Sequence, residues 1–157
     1  MIDRADATET PRHLVVTQWT EGAPTGGGHR PGSPYVEAVW LGVIGPSATW
    51  AWQRLARLAE ARPGARIESP ELALSLGLGE RLGPNASLSR TLRRLEGFEV
   101  LQRNDDLLAV RVRLPDVSDR RLWRLSPSAR AAHERFSLRS HQNLEVPASE
   151  ISLGVGI

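Results

Sequence analysis

The chain has 157 residues, no cysteine, and a formal net charge of +2 in which all 20 basic residues are arginine. That length predicts one domain with tails, and the missing cysteines exclude disulfides and thiolate metal sites. No apolar run approaches the ~20 residues needed to span a bilayer. The opening residues MIDRADATET lack a signal-peptide pattern, so the expectation is a cytoplasmic protein with no membrane partner.

Residues 1–32 read as disordered, because TEGAPTGGGHRPGSP combines three consecutive glycines with three prolines and offers nothing to a core. Within that segment HLVVTQW, from His13 to Trp19, is a candidate short strand. The folded part is expected to span 33–138. Ser33, Pro34 and Glu37 mark a helix start over Pro34 to Leu41, with a strand over Ala38 to Ile44 as the alternative.

A helix from Pro46 to Ala61 places Ala48, Ala51, Trp52, Leu55, Leu58 and Ala59 on one face. Gln53, Arg57, Glu60 and Trp50 then point away. An extended link over Ala65 to Glu68 leads to a short helix from Pro70 to Leu76, capped by Ser69. A turn over Gly77 to Pro84 comes next.

Residues 85–97, NASLSRTLRRLEG, form the most telling segment. Leu88, Leu92 and Leu95 recur at i, i+4, i+7, so they make one apolar seam. Arg90, Arg93 and Arg94 project opposite. Asn85 or Ser87 can cap the start, and Gly97 suits the left-handed position at the end. Next, EVLQRNDDLLAVRVRLP reads as a β-hairpin that turns at Asn104, Asp105 and Asp106. Ser118 can cap a turn holding Leu122 and Trp123. Ser126 and Pro127 start a last helix with Ala129, Ala132 and Phe136 inward. Residues 139–157 read as a flexible tail.

Charge is uneven along this order. Residues 1–80 carry 7 arginines and 9 acids, net −2, whereas residues 81–139 carry 13 arginines and 7 acids, net +6. Positive charge therefore gathers on the arginine helix and the segment C-terminal to it, as expected of a contact to phosphates.

The element order, with SPELALSLGL before SLSRTLRRLEGF and the hairpin VLQR…LLAVRVRL after it, resembles the winged helix-turn-helix superfamily. The opening YVEAVWLGVIGP is similar to a group of winged-helix proteins from high-GC bacteria to which no activity is assigned. The resemblance implies a mainly α fold with a small antiparallel β-hairpin. It also implies binding of double-stranded DNA by the helix at 85–97 and the hairpin, often as a homodimer. On that reading Ser87, Ser89 and Arg90 face base edges, while Arg93 and Arg94 meet phosphates or flanking bases. Arg103, Arg111 and Arg113 share one hairpin face and lie along the backbone or minor groove. A transcriptional regulator is the expected function.

An alternative comes from the acidic hairpin tip, since phosphates repel Asp105 and Asp106. A winged-helix protein-interaction module, an adaptor or subunit of replication, transcription or mobile-element machinery, would carry such a tip and the outward Trp50. Trp40, Trp50 or the last helix are the candidate dimer contacts, and Trp52 and Trp123 read as core. Arg120, Arg121 and Arg124 read as solvated surface neutralised by Asp116 and Asp119. His13, His29, His133 and His141 lack metal-ligand spacing, so no metal or cofactor is expected; His133 reads as a packed or capping residue. Gly77-Leu78-Gly79 follows a helix and lacks the Gly-Lys-Ser/Thr ending of a phosphate loop. No nucleophile elbow is present, so no enzymatic activity is expected.

Overall fold

The computed structural model describes residues 9–24 and 27–144, with side chains up to Ser140. In chain order the elements are strand β1 (His13–Gln18), a π-helical turn (Val36–Trp40) running into α1 (Leu41–Ile44), α2 (Pro46–Ala61), β2 (Ala65–Glu68), α3 (Ser69–Ser75) and α4 (Ser87–Gly97). The hairpin β3 (Leu101–Asn104) and β4 (Leu107–Val110), then α5 (Asp119–Leu122) and α6 (Pro127–Leu144), complete them. The architecture is mixed α/β. It corrects the expectation of a mainly α fold with a lone hairpin, because the hairpin belongs to a four-stranded sheet ordered β2-β1-β4-β3.

The reason is β1. Its alternation buries Leu14 and Val16 completely, the period-2 pattern of a strand with one face on a core. It pairs antiparallel with β2, Val16 opposite Ala65, and parallel with β4, Val15 opposite Leu107. A segment that composition marks as disordered thus fills the interior of the sheet. Its flanks are tied down as well. The Thr10 amide donates to Leu82 carbonyl at 3.0 Å and His29 exchanges backbone bonds with Leu114, and the Ser69 hydroxyl donates to Pro11 carbonyl. Residues 1–8 and 25–26 lie outside the described residues, as does the tail beyond 144. Residues 139–144, expected in that tail, continue α6.

Helix α2 carries the core. Ala48, Ala51, Trp52, Leu55, Ala56 and Ala59 are buried, and the Trp52 indole N–H donates to Arg111 carbonyl at 2.6 Å. Gly45, at φ 86°, breaks the chain between α1 and α2, a backbone position glycine adopts without strain. The wide turn before α1 is helical, and it buries Val36, Val39 and Trp40. The Trp40 indole donates to Pro115 carbonyl at 2.8 Å. Trp123, expected in the core, is 78% exposed. It sits one residue past α5, which buries nothing.

Helix α4 seats Leu88, Leu92 and Leu95 fully inside. Neither Asn85 nor Ser87 caps it. The cap position is Ala86, with no side-chain bond. Nor does Gly97 take the left-handed position. Glu99 does, at φ 58°. The Val100 amide bonds Leu95 carbonyl and the Glu99 amide bonds Glu96 carbonyl, which together make a Schellman closure.

Candidate nucleic-acid interface

Every exposed charged side chain of α4 is an arginine, at positions 90, 93 and 94. The seam explains this. With Leu88, Leu92 and Leu95 inward, residues 90, 93, 94 and 97 are left outside. Arg90, Arg94, Ser87 and Thr91 line an open groove of about 380 Å3 against Gly45, Pro46, Ser47 and Ala48 at the start of α2. The positive end of the α2 dipole, together with the guanidiniums of Arg90 and Arg94, gives this groove a positive field.

The eight residues expected to contact DNA divide sharply. Arg90 is exposed and lines the groove together with half-buried Ser87. Arg93 is exposed and donates to Pro84 carbonyl at 2.5 Å, which braces the turn before α4. Arg94 closes the end of α1, with Nε donating to Ile44 carbonyl at 2.6 Å and Nη2 to Val43 carbonyl at 3.2 Å. Ser89 is turned inward. It is fully buried, its hydroxyl lies 2.7 Å from Thr10 Oγ1, and it donates to Leu82 carbonyl at 3.1 Å. It therefore fastens the N-terminal segment to α4 and presents nothing to a groove.

The three hairpin arginines do not share a face. Arg103 pairs across the ladder with Leu108, so it lies on the side of the sheet that faces the core. Its side chain is 7% exposed and its Nη2 is 3.5 Å from Glu96 Oε2. Burial pushes the Glu96 carboxyl up from its usual range, against the pull of Arg103 and then Arg93. Arg111 is on the other side, its guanidinium carbon 3.7 Å over the Trp19 ring and its Nη1 donating to Glu21 carbonyl at 2.7 Å. Arg113 Nη1 donates to Gly27 carbonyl at 2.9 Å. Arg111 and Arg113 thus hold the N-terminal segment against the sheet. The hairpin tip is left with Asn104, Asp105 and Asp106, all exposed.

Two groupings are completed only by the fold. Tyr35 is buried, with its hydroxyl 2.8 Å from His133 Nδ1 and accepting the Val117 amide at 2.8 Å. Its ring stacks on His29 at 3.8 Å between centroids. Desolvation, opposed by the Val117 bond and helped by Asp116, pushes the phenol up to about 12. His133, read from the sequence as a packed or capping residue, packs here against Tyr35. The second grouping gathers Arg94, Arg120, Arg121 and Arg124 around one groove. Neither has a linear motif, because each joins segments far apart in the chain.

Among the described residues no helix is long and apolar enough to cross a membrane. Comparison of the chain with protein-family models, with curated proteins and with solved structures found no match.

Proposed function

We propose that this is a cytoplasmic winged-helix DNA-binding protein, a transcriptional regulator that docks α4 against duplex DNA. The observation that carries the reading is the outer face of α4, whose exposed charges are all arginine and which borders the open groove at the start of α2. The run α2–β2–α3–α4–β3–β4 supports the winged-helix part, since it matches the helix, strand, helix, helix, hairpin order of that fold. The contact set is narrower than the sequence implies. Arg90 and Ser87 are the base-reading candidates, with Arg93 and Arg94 beside phosphates. The hairpin takes no part through Arg103, Arg111 or Arg113.

The experiment is duplex binding at two salt concentrations, with wild type and Arg90→Ala, on the upstream region of the protein's own gene and on an unrelated duplex. Arg90→Ala should weaken binding by about 1–3 kcal/mol if it reads a base, or lower the salt slope by about one if it meets a phosphate. Wild type without salt-dependent binding would overturn the reading.

A second reading, a winged-helix module that binds another protein or a second copy of itself, is favoured by the acidic hairpin tip and by Trp50 and Trp123, 59% and 78% exposed. Under it, Trp50→Ala abolishes dimerisation in sedimentation while Arg90→Ala leaves the sedimenting mass unchanged.

A further inference from the structure

Arg94 lines two neighbouring grooves. One is the groove between α2 and α4. The other, about 520 Å3, is bounded by Gly42 and Val43 of α1, by Arg94 and Phe98 at the end of α4, and by Arg120, Arg121, Arg124 and Leu125 around α5. Four guanidiniums line this second groove and no carboxylate does. The acids nearest in sequence are engaged elsewhere. Asp116 Oδ1 lies 2.5 Å from His29 Nε2, and Asp119 lines a separate groove with Trp123, Arg130 and Glu134. Glu99 and Asp116 border the adjoining hollow beside Arg121, outside the groove itself.

Gathering like charges around one space costs energy that an anion would relieve. The lining also says which anion. The Phe98 ring is already engaged, with Arg121 4.7 Å and Arg94 5.4 Å from its centroid, so a stacking base would compete with guanidiniums. No lining side chain is a hydrogen-bond acceptor, so sugar hydroxyls and base amino groups find no side-chain acceptor there. What remains is guanidinium donors, which match phosphate oxygens: those of Arg120, Arg121 and Arg124, beside the positive charge of Arg94, whose Nε and Nη2 already brace Ile44 and Val43.

We propose that this groove binds closely spaced phosphate groups, and that they belong to a nucleic-acid backbone leaving the end of α4 past Arg94. The backbone assignment rests on the reading of α4 as a DNA contact; the phosphate assignment does not. Arg120 and Arg124 are exposed, so they can be replaced with little effect on the fold.

The test uses the full chain in three forms: wild type, Arg120→Gln with Arg124→Gln, and a control of equal charge loss, Arg135→Gln with Arg139→Gln on α6. Tripolyphosphate titrated calorimetrically should bind wild type and the control alike, and bind the groove double variant at least tenfold more weakly. Absent binding to wild type, or equal weakening in both double variants, overturns the site. In the second arm, the salt slope of duplex binding should fall by about two in the groove variant, at roughly 0.9 per phosphate. An unchanged slope with tripolyphosphate binding lost overturns the backbone assignment and identifies a free phosphorylated ligand instead. Should wild type bind no duplex at all, the α4 reading fails while the tripolyphosphate arm still decides the groove.

Discussion

Helix α4 and the β3–β4 hairpin are both arginine-bearing, and by sequence they look like two halves of one surface. Their arginines meet different fates. Those of α4 stay outside because the leucine seam leaves them nowhere else to go. Those of the hairpin are taken up by other parts of the chain: Arg103 by Glu96, Arg111 by Trp19 and Glu21, and Arg113 by Gly27. The difference teaches that an arginine whose guanidinium stays exposed keeps donors for a ligand even where it also braces a carbonyl, as Arg93 and Arg94 do, whereas one drawn into the fold does not. For Arg111 and Arg113 the agent is the N-terminal segment, which supplies Trp19, Glu21 and Gly27.

The sharpest way to break the comparison is to remove that segment. Leu14→Asp buries a carboxylate at the sheet centre, where the side chain is wholly inaccessible. It should cost at least about 4 kcal/mol and abolish the cooperative transition in thermal circular dichroism. A fragment beginning at Ser33 should behave likewise. A cooperative melt from that fragment would show the strand to be an accessory.

Next in size is Tyr35→Phe. It leaves the Val117 amide without its acceptor, a loss of about 1–3 kcal/mol in denaturant unfolding. The wild-type phenol also supplies a pH test. Its folded pKa of about 12 is raised above the ordinary value of 10.0. The neutral phenol therefore contributes stability that is fully present below pH 10 and lost as pH rises through about 12, up to about 2–3 kcal/mol. Tyr35 is the chain's single tyrosine, so tyrosinate absorbance reports it alone. Ionisation near pH 10 would mean that the ring is open to water.

Arg111→Gln and Arg90→Gln form the matched pair. Arg111→Gln should cost about 1–2 kcal/mol and expose the bonds around Glu21 and Gly22 to protease, with duplex affinity unchanged. Arg90→Gln should stay within about 0.5 kcal/mol in stability. If Arg111→Gln weakened DNA binding as much as Arg90→Gln, the two regions would be one surface after all. The smallest effect is a gain: Glu99→Gly relieves a left-handed residue at φ 58° and should raise stability by about 0.5–1 kcal/mol in thermal melts.

Much of the fold is legible from local pattern. The span of α2, the leucine seam of α4 and the turn at Asp105 come from periodicity and turn chemistry that a few neighbouring residues determine. The N-terminal strand is not legible in this way. HLVVTQ is too short to outweigh the glycines and prolines beside it, and its partners Ala65 and Leu107 lie far along the chain. The hairpin obeys the same rule. Alternation places Leu108 and Val110 inward correctly, but the destination of Arg111 and Arg113 depends on the N-terminal segment. Ser89 turns inward for a similar reason, since its partner Thr10 belongs to that segment. Of the four-arginine groove the sequence shows only Arg120, Arg121 and Arg124, which read as solvated surface; Arg94 joins them because α1, α4 and α5 meet only in three dimensions.

The parallel pairing of β1 with β4 has a consequence for how the protein is made. β1 leaves the ribosome well before β4, and Val15 cannot find Leu107 until everything between them has been synthesised. Until then β2 can cover one edge of this apolar strand but the other stays open, a species prone to pairing with strangers. Closing so long a loop before any reward also slows the search. Refolding from denaturant should accordingly be slow for a protein so rich in helix, and its yield should fall as concentration rises.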